Sequence, residues 1–334
     1  MRATVRVVRV AAAIAEIARH GVSRAEFERS AKNIDCHEGN PVNASMQRAC
    51  RGLIVAILAV SVLLGGCSAV RLGYDQAEPL LRWWVDRHLD LDASQARWLK
   101  DELRQFHLWH RQTQLPDYAD LAAAMARQSV DDISADKVCE NIDSSLTQLD
   151  LLLRQSVPLL AGLARQIEPS QLQHLRRRFA EEDRAWREKW LDAPRDQRTR
   201  QRAEDWTERA ESYYGRLKRE QRDFILQAVQ RSSWDPQLSW ERRQMRQQQI
   251  LATMEKIIRQ RLSQSHAEIE IQALIDRSLR PDDMRMAAMQ RALQQEACIN
   301  LAGLHQLSGP EQRLRARDKL VSYERDFRQL AAKR

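Results

Sequence analysis

Apolar residues recur at steps of three and four along most of this chain. Val138, Ile142, Leu146, Leu149, Leu153, Leu160, Leu163 and Ile167 make one stripe, at such steps or their multiples. Leu251, Met254, Ile258 and Leu262 make a second, and Met286, Met289, Leu293, Ala297, Leu301 and Leu304 a third. This spacing lays an apolar face along an α-helix. Pro79, Pro116, Pro158, Pro169, Pro194, Pro236, Pro281 and Pro310 punctuate the pattern. It predicts helices near 75–89, 93–114, 117–129, 135–166, 169–191, 195–214, 219–232, 237–263, 265–278, 282–306 and 310–331, with Pro158 kinking its helix rather than ending it. Alternating Val-Ile-Thr runs of the kind that mark strands are missing from the sequence. The expected fold is all-α, an elongated multi-helix bundle.

One apolar run is different in kind. Gly52 to Leu64 is 13 residues long, preceded by Arg48 and Arg51 and closed by Leu64-Gly65-Gly66-Cys67. A cationic start, an apolar stretch too short to span a bilayer as a helix, and two small residues before a cysteine form a bacterial lipoprotein signal peptide. On this reading residues 46–66 are the leader and Cys67 is lipidated. Residues 1–45 do not make a second leader, because Glu16 interrupts the apolar run that follows Arg2, Arg6 and Arg9. They read as an extension upstream of a true start at Met46. Residues 67–75 then form a lipid-anchored tether and 76–334 a helical periplasmic domain. Ser68, Ala69 and Val70 supply no acidic residue behind Cys67 to resemble an inner-membrane retention signal. The expected address is the outer membrane, on its periplasmic face.

Composition supports helices and narrows the chemistry. Leu, Ala, Arg, Gln and Glu, all strong helix formers, dominate residues 67–334, where only Gly73, Gly162, Gly215, Gly303 and Gly309 are glycine. The chain holds 54 Lys+Arg against 46 Asp+Glu, for a net charge of +8. Nine of those bases and five of the acids precede Cys67, so 45 against 41, a net +4, belong to residues 67–334. That balance is not a nucleic-acid signature, and no nucleic-acid partner is expected. Of five cysteines, Cys36 and Cys50 precede the cleavage site and Cys67 carries lipid, which leaves Cys139 and Cys298. One pair in an oxidising compartment is either a disulfide or two buried thiols.

A short repeat marks helix starts. Leu91-Asp-Ala-Ser-Gln95, Ile167-Glu-Pro-Ser-Gln171 and Leu217-Lys-Arg-Glu-Gln221 share an aliphatic residue followed by Gln four positions later, with Leu307-Ser-Gly-Pro-Glu-Gln312 a looser copy. Capping explains it: Glu168 sits at an N-cap, Pro169 at the first helical position, and Gln171 closes a capping box. In the fourth copy Ser308 and Glu311 are expected to form the box.

Candidate chemistry is sparse. His107 and His110 stand one turn apart, with His88 the nearest addition, yet no Cys-x-x-Cys, His-Glu-x-x-His or carboxylate cluster completes a metal site. No cofactor, metal or catalytic residue is expected. Asp86, Asp90, Asp92, Asp101 and Glu102 lie near Arg82, Arg97, Arg104 and Arg111, a set able to brace a helix junction. Trp83, Trp84, Trp98 and Trp109, with His110 and Arg111, make a candidate interaction cluster near the lipid end. Trp186, Trp190 and Trp206, set among the Arg-rich residues 184–223, are expected to anchor one face of long, mostly exposed helices.

Two resemblances follow from these residues. Cys67-Ser68, Arg71-Leu72-x-Tyr74, Trp83-Trp84-x-Asp86-Arg87 and Trp109-His110-Arg111-x-x-x-Leu115-Pro116-x-Tyr118-Ala119 resemble an uncharacterised family of Gram-negative lipoproteins, over most of 67–334. That resemblance implies an all-α lipoprotein and no particular activity. The helix-start repeats resemble the Leu-Thr-x-x-Gln repeats of small periplasmic helical chaperones, although Thr is absent from every copy here. The functional expectation is a non-enzymatic interaction or structural lipoprotein, held to the membrane by its lipid and meeting an envelope protein. The alternative is a holdase that cradles unfolded clients.

Overall fold

A computed structural model describes residues 69–333. The leader, Cys67, Cys36, Cys50 and the 1–45 extension lie outside the described residues. Among the described residues the regular elements are all helical. The helix α1 (Ala69–Asp75) turns the expected tether into helix from its third residue, as its Ala, Arg and Leu favour. It belongs to a different compact unit from the body, which starts at Glu78.

The body is built from α2 (Ala77–Leu89), α3 (Ala93–Trp109), a π-helical turn (His110–Gln114), α4 (Leu115–Gln128), α5 (Ala135–Gln155), α6 (Val157–Gln166), α7 (Pro169–Trp190), α8 (Arg195–Tyr214), α9 (Arg219–Gln230), α10 (Pro236–Arg259), α11 (Gln264–Leu279), α12 (Met284–Gln306) and α13 (Pro310–Ala332). Their pairing is nested. The chain runs out through α4 to α8 and returns through α9 to α13, so that α8 meets α9, α7 meets α10, α6 meets α11, α5 meets α12 and α4 meets α13. Each early helix thus finds its partner on the return pass, and α3 packs beside α6.

Burial follows the stripes. Leu89, Leu99, Leu103, Leu163, Ile167, Leu172, Leu175, Leu251 and Met254 form one core that joins α2, α3, α6, α7 and α10. Val157, Ala161, Ile257, Ala267, Ile271 and Ile275 fill the α6–α10–α11 contact. Trp206, Leu217, Ile225, Val229 and Leu304 join α8, α9 and α12. Ala119, Ala122, Ala123 and Ala126 are buried along α4, and small side chains there let α13 approach closely. Close approach also explains Gly162: a Cβ at that position would lie 2.8 Å from Trp98 Cζ2.

The pattern misplaces some details. Leu160 and Leu301, expected on buried stripes, are exposed at 37% and 41%. In α12 Met286, Met289, Leu293, Ala297 and Leu304 are buried as expected, and Cys298 and Ala302 join them in place of Leu301. Residues 135–166 are two helices, broken at Ser156, whose N–H donates to both Leu152 and Leu153 O, with Pro158 in the first turn of α6. Conversely, no gap separates the helices expected at 93–114 and 117–129. Leu115 N–H donates to His110 O, five residues back, and this widened turn accommodates Pro116, which lacks an N–H.

Candidate functional site

The helix-start glutamines come together in pairs. Gln95 and Gln171 are buried face to face at the N-termini of α3 and α7. Gln95 Nε2 donates to Gln171 Oε1 at 3.0 Å, and Gln171 Nε2 donates back to Gln95 Oε1 at 2.7 Å. Each oxygen also caps its own helix, accepting from Asp92 N–H and Glu168 N–H respectively, both at 3.0 Å. The second amide hydrogens cross over: Gln95 donates to Gln166 O at 2.7 Å and Gln171 to Asp90 O at 2.8 Å. Two donors and two acceptor positions are filled on each side chain, the full capacity of a primary amide. Asp90 adopts φ 52° at this turn.

A second clasp repeats the design where α9 and α13 begin. Gln221 and Gln312 donate to each other's Oε1 at 3.1 Å. Their oxygens accept from Lys218 N–H and Gly309 N–H. Gln312 donates its other hydrogen to Arg216 O, and Gln221 donates to Ser308 Oγ, which in turn donates to Leu304 O. This arrangement corrects the expected Ser308–Glu311 box. The N-cap of α13 is Gly309, Gln312 performs the capping, and Ser308 occupies the position before the cap that buried Ile167 and Leu217 and partly buried Leu91 hold in the other copies.

A polar network joins α2, α7 and α10. Buried His88 places Nδ1 2.7 Å from Trp84 O and Nε2 2.7 Å from Glu182 Oε1. Glu182 also meets Arg243 Nη2 at 3.3 Å. Its carboxyl is held below the usual range, first by the His88 hydrogen bond and also by Arg243, against the opposing effect of burial. Arg243, Gln244 and Gln247 all donate to Asp183. Beyond it Trp186 stacks on Trp240 and Trp190 meets Trp234 edge-on, with centroids 5.5 and 5.9 Å apart. Arg187 covers the Trp240 ring and Arg202 the Trp234 ring. Arginine–carboxylate bracing therefore exists between α7 and α10. Asp86 and Asp92, which the sequence suggested for that task, accept backbone N–H groups of Leu91, Ser94 and Gln95.

Around the π-turn, burial dominates. His110 packs edge-on against Tyr118, which meets Phe327 of α13, which stacks on Tyr323. Burial, with His107 nearby, pulls His110 down to about 4. Burial, with Asp117 nearby, pushes Tyr118 up to about 12. Asp326, one turn beyond Tyr323, is fully buried. Arg111 Nη2 lies 3.4 Å from His107 Nε2. Farther along, His305 Nε2 donates to Asp131 O at 2.8 Å, so its Nδ1 accepts from Tyr214 OH at 2.9 Å.

The structure divides the residues that the sequence grouped as one interaction cluster. Trp83 and Trp84 lie on α2, exposed at 48% and 47%. Trp98 packs on the core over Gly162. Trp109 contacts Phe106 and His110, and Arg111 sits in the π-turn beside them. Cys139 and Cys298 are joined by a disulfide between α5 and α12, with Cα atoms 5.2 Å apart. Among the described residues no group of three His, Cys, Asp or Glu is placed to hold a metal ion. None of their helices is long and apolar enough to cross a membrane.

The model of the family of unknown function DUF6279 matches residues 87–285, more than half of the chain. The chain belongs to this family. The DUF6279 span holds the first clasp, the α2–α7–α10 network and Cys139, and ends before Gln312 and Cys298. Kinship with an uncharacterised family, expected from the sequence, is thereby established. No curated protein and no solved structure matches the chain.

Sequence reasoning missed Glu182, Asp183 and Arg243. A signal existed. Leu172, Leu175, Phe179, Glu182, Trp186 and Trp190 continue one stripe at three- and four-residue steps, so Glu182 stands on an inward face.

Proposed function

We propose that this DUF6279 member is a lipid-anchored envelope lipoprotein whose body works by binding and bracing rather than by catalysis. The observation that carries the reading is the order of Arg48 and Arg51, the apolar run Gly52–Leu64, and Leu64-Gly65-Gly66-Cys67. Lipid on Cys67, with Ser68 behind it, assigns the outer membrane and the periplasmic face. The body's polar motifs support a bracing role. Each clasp glutamine makes bonds that close helix junctions, and His88, Glu182, Asp183 and Arg243 join three helices. A disulfide suits an oxidising compartment. Sucrose-gradient fractionation of membranes tests the address. Recovery with outer-membrane markers is expected; recovery with inner-membrane markers would refute the sorting, and recovery in the soluble fraction would refute the anchor.

A second reading rests on the resemblance of the helix-start repeats to Leu-Thr-x-x-Gln motifs, whose Gln here pair across helices in both clasps. On that reading the protein is a holdase. Equimolar protein would then suppress aggregation of a reduced, unfolded client, and an unchanged aggregation rate would exclude the role.

A further inference from the structure

We propose that Trp83 and Trp84 form a membrane-docking patch whose occupant is the lipid headgroup layer; this rests on the lipid anchor at Cys67 proposed above. The two indoles are about half exposed, on a helix that buries Leu89 on the side away from them. Adjacent helical positions diverge by roughly 100°, so the rings spread over a broad sector of α2. Leu81, one turn away, is also exposed. The Arg87 guanidinium lies 5.4 Å from the Trp83 ring centroid. Trp84 is held in place from behind: its ring lies 4.1 Å from that of His88, which is bonded to Glu182 of α7. Trp84 is thereby tied through His88 to α7 of the body.

Its chemistry matches the headgroup region. Indole has an apolar body and one N–H donor, and tryptophan concentrates where hydrocarbon meets water. An arginine beside it reaches lipid phosphate while its stem lies along apolar surface. Position decides for lipid over a protein partner. Trp83 follows Cys67 by 16 residues, a reach of about 55 Å even if the intervening chain were fully extended. Part of that stretch is helical in α1 and α2, which shortens it. A lipid at Cys67 thus keeps the patch close to a bilayer at high effective concentration, where even weak apolar and phosphate contacts are populated.

The test uses the lipidated protein reconstituted into vesicles of phosphatidylethanolamine and phosphatidylglycerol, with or without brominated acyl chains. Flotation reads the anchor, and bromolipid quenching of tryptophan fluorescence reads the patch. Wild type should float and be quenched. Trp83→Phe/Trp84→Phe should float equally and lose the larger part of the bromolipid-dependent quenching, with each single variant in between. Far-UV circular dichroism identical to wild type checks that the fold is kept. Equal quenching of wild type and double variant would overturn the docking patch while leaving the anchor intact. Failure of the wild type to float would overturn both.

Discussion

Replacing a clasp glutamine with methionine keeps the length of the side chain and removes its polar end. In Gln95→Met, Asp92 N–H and Gln166 O lose their partners, and Gln171 is left with one donor and one acceptor unfilled. The two backbone groups lie near the surface and recover water, whereas the stranded amide is buried. Each unfilled buried position costs about 1–1.5 kcal/mol, so the single variant should lose about 2–3 kcal/mol. Gln171→Met mirrors it. The double variant strands no amide, so its loss falls short of the summed singles by a coupling of up to about 4–6 kcal/mol. Urea unfolding of the four proteins, followed by far-UV circular dichroism, measures the cycle. Gln221 and Gln312 should give a similar coupling, while Gln95 with Gln221, which share no partner, should be additive within about 0.5 kcal/mol. Additivity within either clasp would show that the reciprocal amide bonds contribute nothing to the fold.

Three further outcomes follow from other elements. Reducing the Cys139–Cys298 bond, which closes a separation of 159 residues, should cost up to about 5 kcal/mol in the chain-entropy model; an unchanged urea midpoint would contradict this. Gly162→Ala puts a methyl against Trp98 and should cost about 1–3 kcal/mol, lowering Tm by several degrees, and a Tm at or above wild type would show that the ring yields freely. His110 is held at about 4, below the ordinary 6.5, so its neutral form stabilises the fold. That contribution is whole above pH 6.5 and is lost as pH falls towards 4, by about 3 kcal/mol at most. His110→Gln should flatten the fall of Tm over this window, and an unchanged slope would exclude His110 as its source.

Periodicity revealed the helices because a 3.6-residue repeat is local information. It failed where local geometry departs from one repeat. The π-turn absorbs Pro116 without a gap, and Ser156 divides into two helices a stripe that reads as one. The helix-start glutamines were legible as caps, since capping spans three residues of chain. Their pairing was not, because Gln95 and Gln171 are brought together only when α3 and α7 meet. The same holds for Glu182, Asp183 and Arg243. Dense charge in α7 reads as a solvated face, and only the partner helix α10 turns it into a junction. Trp83, Trp84, Trp98 and Trp109 were grouped by nearness in sequence, but helical rotation sends them to different surroundings.

Lipid on Cys67 is the claim on which the compartment, the partner class and the docking patch all depend. Metabolic labelling with a clickable fatty acid, compared between wild type and Cys67→Ala, tests it directly. A labelled wild-type band, and an unlabelled, unprocessed band for Cys67→Ala, is the expected result. A wild type that takes up no label, or a Cys67→Ala variant labelled to the same extent, would contradict it.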